Sequence, residues 1–112
     1  MSNEWISFAQ LPGGKEYYSA FRKRAIEPII RKYGSSPKSL TDCLKRFGGK
    51  SVQYGDCAVC FDVFENVPVM ITVWGKDEEF AAEANILFDA NIATIFSTED
   101  AAVLAGIISK AV

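Results

Sequence analysis

The sequence contains no histidine among its 112 residues. This absence excludes Ser-His and Cys-His dyads, imidazole general bases and nearly every catalytic zinc arrangement. Neither the GxGxxG motif nor the P-loop motif occurs, so a standard nucleotide-binding loop has no support. The carboxylates and the three cysteines are therefore the main candidates for chemistry.

Long apolar runs are also absent. The two longest, Val67–Trp74 and Ala101–Ile108, fall well short of the roughly 20 residues that a membrane span needs. The first residues contain neither the basic segment nor the apolar core of a secretory signal. An odd number of cysteines (Cys43, Cys57 and Cys60) fits reduced thiols better than disulfides. We therefore expect a cytoplasmic protein that has no membrane contact.

Charge is divided between the two halves of the chain. Residues 15–50 carry ten Lys or Arg and three acids, a balance of +7, whereas residues 51–112 carry two Lys and ten acids, a balance of −8. Such halves can favour head-to-tail self-association, or they can fold onto each other and largely neutralise. Nucleic-acid-binding domains are usually clearly basic, and this chain has a pI near 5.1, so we expect no nucleic-acid partner.

Local patterns predict a single α+β domain over residues 1–112. Residues 4–9 mix aromatic and β-branched types, which suggests a short strand. Helical spacing predicts a helix from residue 15 to residue 33, with a kink or break near Glu27 because Pro28 has no N–H to donate. The face of this helix expected to pack consists of Tyr17, Tyr18, Phe21, Ala25, Ile29 and Tyr33.

A second N-terminal helix is predicted after Ser36. Ser36 can cap it, Pro37 suits its first position, and two glycines at 48–49 end it. Its expected apolar face is Leu40, Cys43, Leu44 and Phe47.

The second half of the chain has a β pattern followed by a final helix. Two runs at about 57–64 and 69–74 predict an antiparallel hairpin with residues 65–68 as its connection. Residues 84–96 fit either a strand or an irregular packed segment. A helix over about 98–111 begins at a capping sequence, with Val103, Leu104, Ile107 and Ile108 as its packing stripe. Because helices and strands come in separate groups, we expect a small antiparallel sheet covered on one face.

Cys57 and Cys60 form a CxxC spacing, but within a strand pattern. Positions three apart in a strand point to opposite faces, and a redox CxxC needs a helix N-terminus to lower the thiol pKa. Two half-buried structural cysteines are the interpretation this pattern favours over a metal or redox pair.

Three consecutive acids, Asp77, Glu78 and Glu79, precede a fourth at Glu83. Oxygen ligands suit Mg²⁺ or Ca²⁺, so Asp77, Glu79 and Glu83 are the candidate set for a metal. However, adjacent acids usually point in different directions, and the spacing does not fit an EF-hand. The alternative is a solvated acidic turn with Phe80 packed into the core.

The order of motifs carries a family resemblance. GDCA at 55–58 precedes a hairpin ending at Trp74, and then come DEEF at 77–80, EANILFD at 83–89 and TED at 98–100. With LPGG at 11–14, this series resembles the uncharacterised family known as domain of unknown function 3786, found mainly in anaerobic bacteria and archaea. The resemblance implies an anaerobe's cytoplasm, a short member lacking the N-terminal portion of longer relatives, and no particular reaction. It also implies a candidate ligand or partner surface formed by Asp56, Trp74, Asp77, Glu78, Glu79 and Asp89.

Two of these acids have a second interpretation. Asp77 and Asp89 can also cap turns and helices, stabilising the fold without contacting a ligand. The sequence leaves both roles open.

Three functions are compatible with these observations. The first is a non-enzymatic binding or accessory domain that self-associates, as a homodimer with no essential cofactor, so that a second copy covers an exposed sheet edge and apolar surface. The second is a carboxylate enzyme, with or without a divalent ion, in which Asp77 or Glu79 is the base and Asp56 and Asp89 are partners. The third is a small-ligand pocket.

That pocket would lie between the first helix and the sheet, lined by Tyr18, Phe21 and Trp74. The same three side chains would serve equally well as ordinary core.

Overall fold

A five-stranded antiparallel sheet forms the centre of the structure, a computed structural model that describes residues 4–43, 48–64 and 67–112. The strands are β1 (Trp5–Ser7), β2 (Lys50–Val52), β3 (Cys57–Phe64), β4 (Val67–Trp74) and β5 (Glu83–Asp89). They lie in the spatial order β1-β5-β4-β3-β2, and each neighbouring pair is antiparallel. The predicted α+β class is confirmed.

Helical segments flank the sheet in sequence. They are α1 (Gly14–Phe21), α2 (Glu27–Tyr33), α3 (Ile92–Ile95) and α4 (Thr98–Ala111), with 3₁₀ segments at Phe8–Gln10 and Pro37–Cys43 and a π-helical segment at Arg22–Ile26. None of the described helices is both long and apolar enough to cross a membrane.

The sheet buries side chains on both of its faces. Alternate residues such as Val59, Ile71 and Ile86 join the helical side chains in the main core. The intervening residues on the opposite face form a smaller cluster made only of strand residues, namely Ala58, Met70 and Leu87 with Trp5 and Val52 packed against them. The helices therefore pack against one face of the sheet, as predicted.

The hairpin differs from its prediction at the start of β4. β3 has the predicted bounds, but β4 begins at Val67, so Pro68 lies inside the strand opposite Asp62. The pairing register shifts between Asp62 and Phe64, which is how a ladder tolerates a residue that has no N–H to donate.

Residues 84–96, which the sequence left undecided, divide between two elements. β5 pairs with β1 on one side and β4 on the other, and its residues Ala84, Ile86 and Phe88 are buried at a spacing of two. The chain then turns at Asn91 into α3.

The N-terminal helical region continues through Pro28, so of the predicted kink or break near Glu27 the break is absent, and the helix is instead distorted directly before that residue. The helical path widens into the π-helical segment directly before the proline, where the Glu27 N–H donates to the Arg22 carbonyl, five residues back. Proline cannot donate, and its ring crowds the carbonyl four residues earlier. The wider turn accommodates both effects while the chain remains helical.

The predicted second helix is a 3₁₀ segment in its described part. Ser39 N–H donates to the Ser36 carbonyl and the Thr41 hydroxyl to the Lys38 carbonyl, both three residues back. The Ser36 hydroxyl bonds the Ser39 hydroxyl, at 2.9 Å, and accepts no helix N–H. Leu40 is fully buried as expected. The remaining part of the predicted apolar face, at residues 44–47, lies outside the described residues.

The final helix agrees with its predicted bounds and cap, because the Ser97 hydroxyl accepts the Asp100 N–H at 3.1 Å. Its predicted packing stripe is half wrong. Leu104 and Ile108 are buried, whereas Val103 and Ile107 are 52% and 61% exposed. Together the four positions span more of the helix circumference than a single contact with the core can cover.

Candidate functional site

Asp77 organises the acidic turn. Its Oδ1 accepts the N–H groups of Glu79 at 2.8 Å and Phe80 at 2.7 Å, and its own N–H donates to the Phe80 carbonyl. A carboxylate that accepts main-chain N–H groups two and three residues ahead forms an Asx-type turn. Phe80, predicted to pack into the core, is 69% exposed because this turn holds it at the outer tip of the β4–β5 connection.

Asp56 and Trp74 lie beside this turn, as the family-based site predicts. Asp56 Oδ2 accepts the Gly75 N–H at 2.6 Å, and Asp56 N–H donates to the Val73 carbonyl, so Asp56 ties the start of β3 to the end of β4. The Trp74 ring meets the half-exposed Tyr54 ring edge-on, with centroids 5.9 Å apart. Both predicted site residues are thus occupied by contacts within the fold.

Asp89 lies far from the acidic turn. Trp74 pairs with Glu83 in the sheet, and Asp89 is six residues further along β5, about 20 Å away at the rise of a strand. Asp89 is buried, and its Oδ1 accepts the Asn91 N–H at 3.0 Å in the turn that leads to α3. The structure therefore does not bring Asp89 together with the other predicted site acids.

The candidate metal ligands are also held apart by other partners. Glu83 Oε1 accepts a hydrogen bond from Arg22 Nη1 at 2.8 Å, and this bond is the main cause of a raised Arg22 pKa. In the described parts of the chain, no three acid or thiol side chains are grouped so as to hold an ion. One carboxylate oxygen of Asp77 accepts hydrogen bonds within the turn, and the side chain of Glu79 is exposed to solvent.

Cys57 and Cys60 lie on opposite faces of β3, as predicted. Cys57 belongs to the main core, and Cys60 pairs with Met70 on the other face. Burial raises the pKa of both thiols, so each is less ionised at neutral pH than an exposed cysteine. Neither has the low pKa that a nucleophilic or redox-active thiol requires.

The predicted aromatic pocket does not form from its three residues. Phe21 is buried and stacks on Phe8, with ring centroids 4.1 Å apart, and Tyr18 lies 6.1 Å from the Phe21 ring. Trp74 instead packs against Tyr54. A ligand pocket lined by Tyr18, Phe21 and Trp74 together is therefore wrong.

A different groove lies between α1 and α4. Its volume is about 260 Å³, and its walls are mainly apolar. Its lining residues are Phe8, Tyr17, Ala20, Phe21, Arg24, Thr98, Glu99, Ala102 and Val103.

Three large apolar side chains lie exposed at and beside this groove. Tyr17 on one wall and Val103 on the other are 57% and 52% exposed, and Ile107 follows Val103 by one helical turn. We call Tyr17, Val103 and Ile107 the apolar strip. All three were predicted from the sequence to pack against the core. The four apolar positions of α4 cover a wide arc of the helix, which already indicated that the core would not bury all of them.

A second, wider cavity of about 640 Å³ lies on the sheet face away from the helices. Trp5 and Val52 border it from the two edge strands, and Met70 and Cys60 form part of its floor. Met70 is buried within the small strand cluster, and the lining of this cavity is more polar than that of the groove between α1 and α4.

Comparison with known families decides the classification. The sequence model of the family described as a domain of unknown function, DUF3786, matches residues 1–111. The chain belongs to DUF3786. No curated protein and no solved structure matches it.

Membership in DUF3786 supplies no reaction. The contacts and the exposed surface of the chain are therefore the available evidence on its function. In this DUF3786 chain the acidic turn, Asp56 and Asp89 make hydrogen bonds that hold the fold. The side chains of the apolar strip are large and more than half exposed to solvent.

Proposed function

We propose that this chain is a non-catalytic binding domain that works by self-association, and that the apolar strip is its contact surface. The observation that carries the proposal is the exposure of Tyr17, Val103 and Ile107 by more than half, with Tyr17 and Val103 at one apolar groove and Ile107 at another on the opposite side of α4. Exposed apolar surface of this kind is typical of interaction sites. A second copy is the proposed partner.

A binding role is favoured over a carboxylate enzyme by the contacts of the acids. Asp77 and Asp56 accept main-chain N–H groups, and Glu83 accepts Arg22. A general base needs an acceptor directed at a substrate, and each of these three carboxylates accepts a hydrogen bond from the protein itself. Glu79, the other candidate base, is exposed and belongs to no group of three acid or thiol side chains among the described residues. The free thiols Cys57 and Cys60 suit the cytoplasmic location that is part of the proposal.

The experiment compares Ile107→Glu with Ile95→Glu by sedimentation velocity, from low to high micromolar concentration. Ile95 is a matched control because it is an isoleucine, 46% exposed, on α3 and outside the strip. If Ile107 is buried in the dimer, replacing it by a charged residue removes about 1.5–3 kcal/mol of apolar burial per copy. We expect Ile107→Glu to weaken self-association by about thirtyfold or more, and Ile95→Glu to leave it within about twofold.

Two results would overturn the proposal. One is a wild-type chain that stays monomeric throughout this range. The other is an equal response of the assembly to both substitutions, because that would remove the apolar strip from the interface.

A further inference from the structure

We propose that two copies pair through α4 in antiparallel orientation, with Ile107 of each copy packed against Val103 of the other. This inference rests on the proposed self-association and specifies its geometry. Three features of α4 support it: the spacing of its exposed apolar residues, the apolar grooves on its two sides, and the distribution of charge along the helix.

The spacing of Val103 and Ile107 is self-complementary. The two residues lie four apart on one face of α4, separated by about 6 Å along its axis. A two-fold axis that lies between the two helices, perpendicular to both and level with the midpoint of Val103 and Ile107, places each of these positions opposite the other in the partner copy. Each Ile107 then faces the partner copy's Val103, which gives the same contact twice, as an isologous interface requires.

An apolar groove borders each side of this contact. The groove of about 260 Å³ lies on the α1 side of Val103. Ile107 lines a separate groove of about 220 Å³ between α4 and β3. Both volumes are below the roughly 300–1,000 Å³ of pockets that hold small ligands, which favours side-chain contacts over a bound ligand on this surface.

Charge along α4 selects the antiparallel orientation. Glu99 and Asp100 lie in its first turn and Lys110 in its last, all three exposed. An axis between residues 103 and 107 brings the partner's last turn beside this first turn, so Lys110 meets the acids of the other copy. A parallel pair would place Lys110 beside Lys110 and acids beside acids, which is repulsive.

Arg24 supports the same face. Its side chain lies against Gly106, where an added Cβ would be only 3.2 Å from Arg24 Cδ, so the glycine lets the Arg24 stem lie flat against α4. Arg24 also lines the groove, on the rim where a partner copy would meet it.

The first test is the charge reversal Lys110→Glu, measured by sedimentation velocity in low salt. An antiparallel pair loses two attractive contacts and gains two repulsive ones, so we expect self-association to weaken about fivefold or more. A parallel pair would only exchange one like-charge contact for another and would not respond. Lys38→Glu is the control, since it makes the same charge change at an exposed lysine outside α4.

The second test separates association from helix stability. In the triple variant Glu99→Lys, Asp100→Lys, Lys110→Glu, every contact between antiparallel helices is again between opposite charges, so association should return to within about twofold of wild type. The same variant opposes the helix dipole at both ends, so a role in helix stability alone predicts that it associates worst of all.

The outcomes distinguish self-association itself from the proposed α4 interface and its antiparallel orientation. A monomeric wild-type chain overturns the self-association itself. A dimer that resists both Ile107→Glu and Lys110→Glu keeps self-association and overturns the α4 interface. A dimer that is lost in Ile107→Glu but unchanged in Lys110→Glu keeps the apolar strip and overturns the antiparallel orientation.

Discussion

Asp77 accepts two main-chain N–H groups through one carboxylate oxygen, and this arrangement fixes a turn of four residues. The three neighbouring acids therefore do not converge, since their directions follow the path of that turn. Glu78 and Glu79 point into solvent at its surface. At the scale of single residues, the acidic turn is a structural device whose charge is solvated.

Replacing Asp77 tests this role directly. Asp77→Ala should lower the free energy of unfolding by about 1 kcal/mol, because two turn N–H groups lose their acceptor. Asp77→Asn should cost less, since an amide oxygen still accepts, and Glu78→Ala should change stability by no more than about 0.5 kcal/mol. Urea unfolding at one fixed protein concentration measures all three. Equal losses for Asp77→Ala and Glu78→Ala would contradict the account.

Cys57 gives a prediction about pH. Burial raises its pKa above the usual 9.0, with the backbone at Thr41 acting in the opposite direction as the smaller effect. The folded chain holds the thiol proton more tightly than the unfolded chain. The resulting stability is thus fully present below about pH 9 and is lost as pH rises through the raised pKa.

Alkylation measures the state of this thiol. At about pH 8, Cys57 in the folded chain should react with iodoacetamide more slowly, by about tenfold or more, than Cys57 in the chain unfolded by urea. The thiolate is the reactive form, and in the folded chain the side chain is buried. Fragment-ion sequencing of the peptide that contains both cysteines separates Cys57 from the partly exposed Cys60. A folded-state rate equal to the unfolded rate would place Cys57 outside the core.

Among the elements, α4 begins at an N-cap that is recognisable in the sequence. Ser97 precedes Thr98-Glu99-Asp100, and its hydroxyl accepts the Asp100 N–H. Ser97→Ala should lower the free energy of unfolding by about 1 kcal/mol, and Ser97→Asp should retain most of the stability because its carboxylate can accept the same N–H. Thermal unfolding by circular dichroism reports both variants. If alanine and aspartate cost the same, the cap is not what starts the helix.

Elements with strong periodicity were predictable from the sequence, and elements decided by backbone hydrogen bonding were not. The alternation in Cys57–Phe64 and the capped start of α4 both hold in the structure. Pro28 was expected to kink or break a helix near Glu27, and the chain instead stays helical through a π-helical segment directly before that residue. Pro68 was expected in a connection, but a register shift lets it sit in a strand. In both cases the neighbouring backbone adjusts, and residue type alone does not encode that adjustment.

The candidate site was predictable only in part, for a similar reason. Proximity in sequence correctly placed Trp74 beside the acidic turn. Asp89 was included because of its motif, yet the straight path of β5 carries it to the other end of the sheet. Exposure of Val103 and Ile107 depends on how many sides of α4 the core reaches, which is a tertiary property.

At the scale of the whole molecule, the division of charge is partly resolved by folding. Arg22 from the basic half pairs with Glu83 from the acidic half, with both side chains partly exposed. An exposed pair of this kind contributes little to stability, typically about 0–1 kcal/mol. The acids in the first turn of α4 and Lys110 in its last turn complement the helix dipole within one copy. The proposed antiparallel pairing would add contacts between them across the two copies.

Sedimentation equilibrium of the wild-type chain across micromolar concentrations tests self-association most directly, because it gives the mass of the protein in solution. Self-association predicts a reversible change from monomer to dimer, with the dimer predominant at the upper end. A mass that stays at the 12.3 kDa of one chain at every concentration would contradict it.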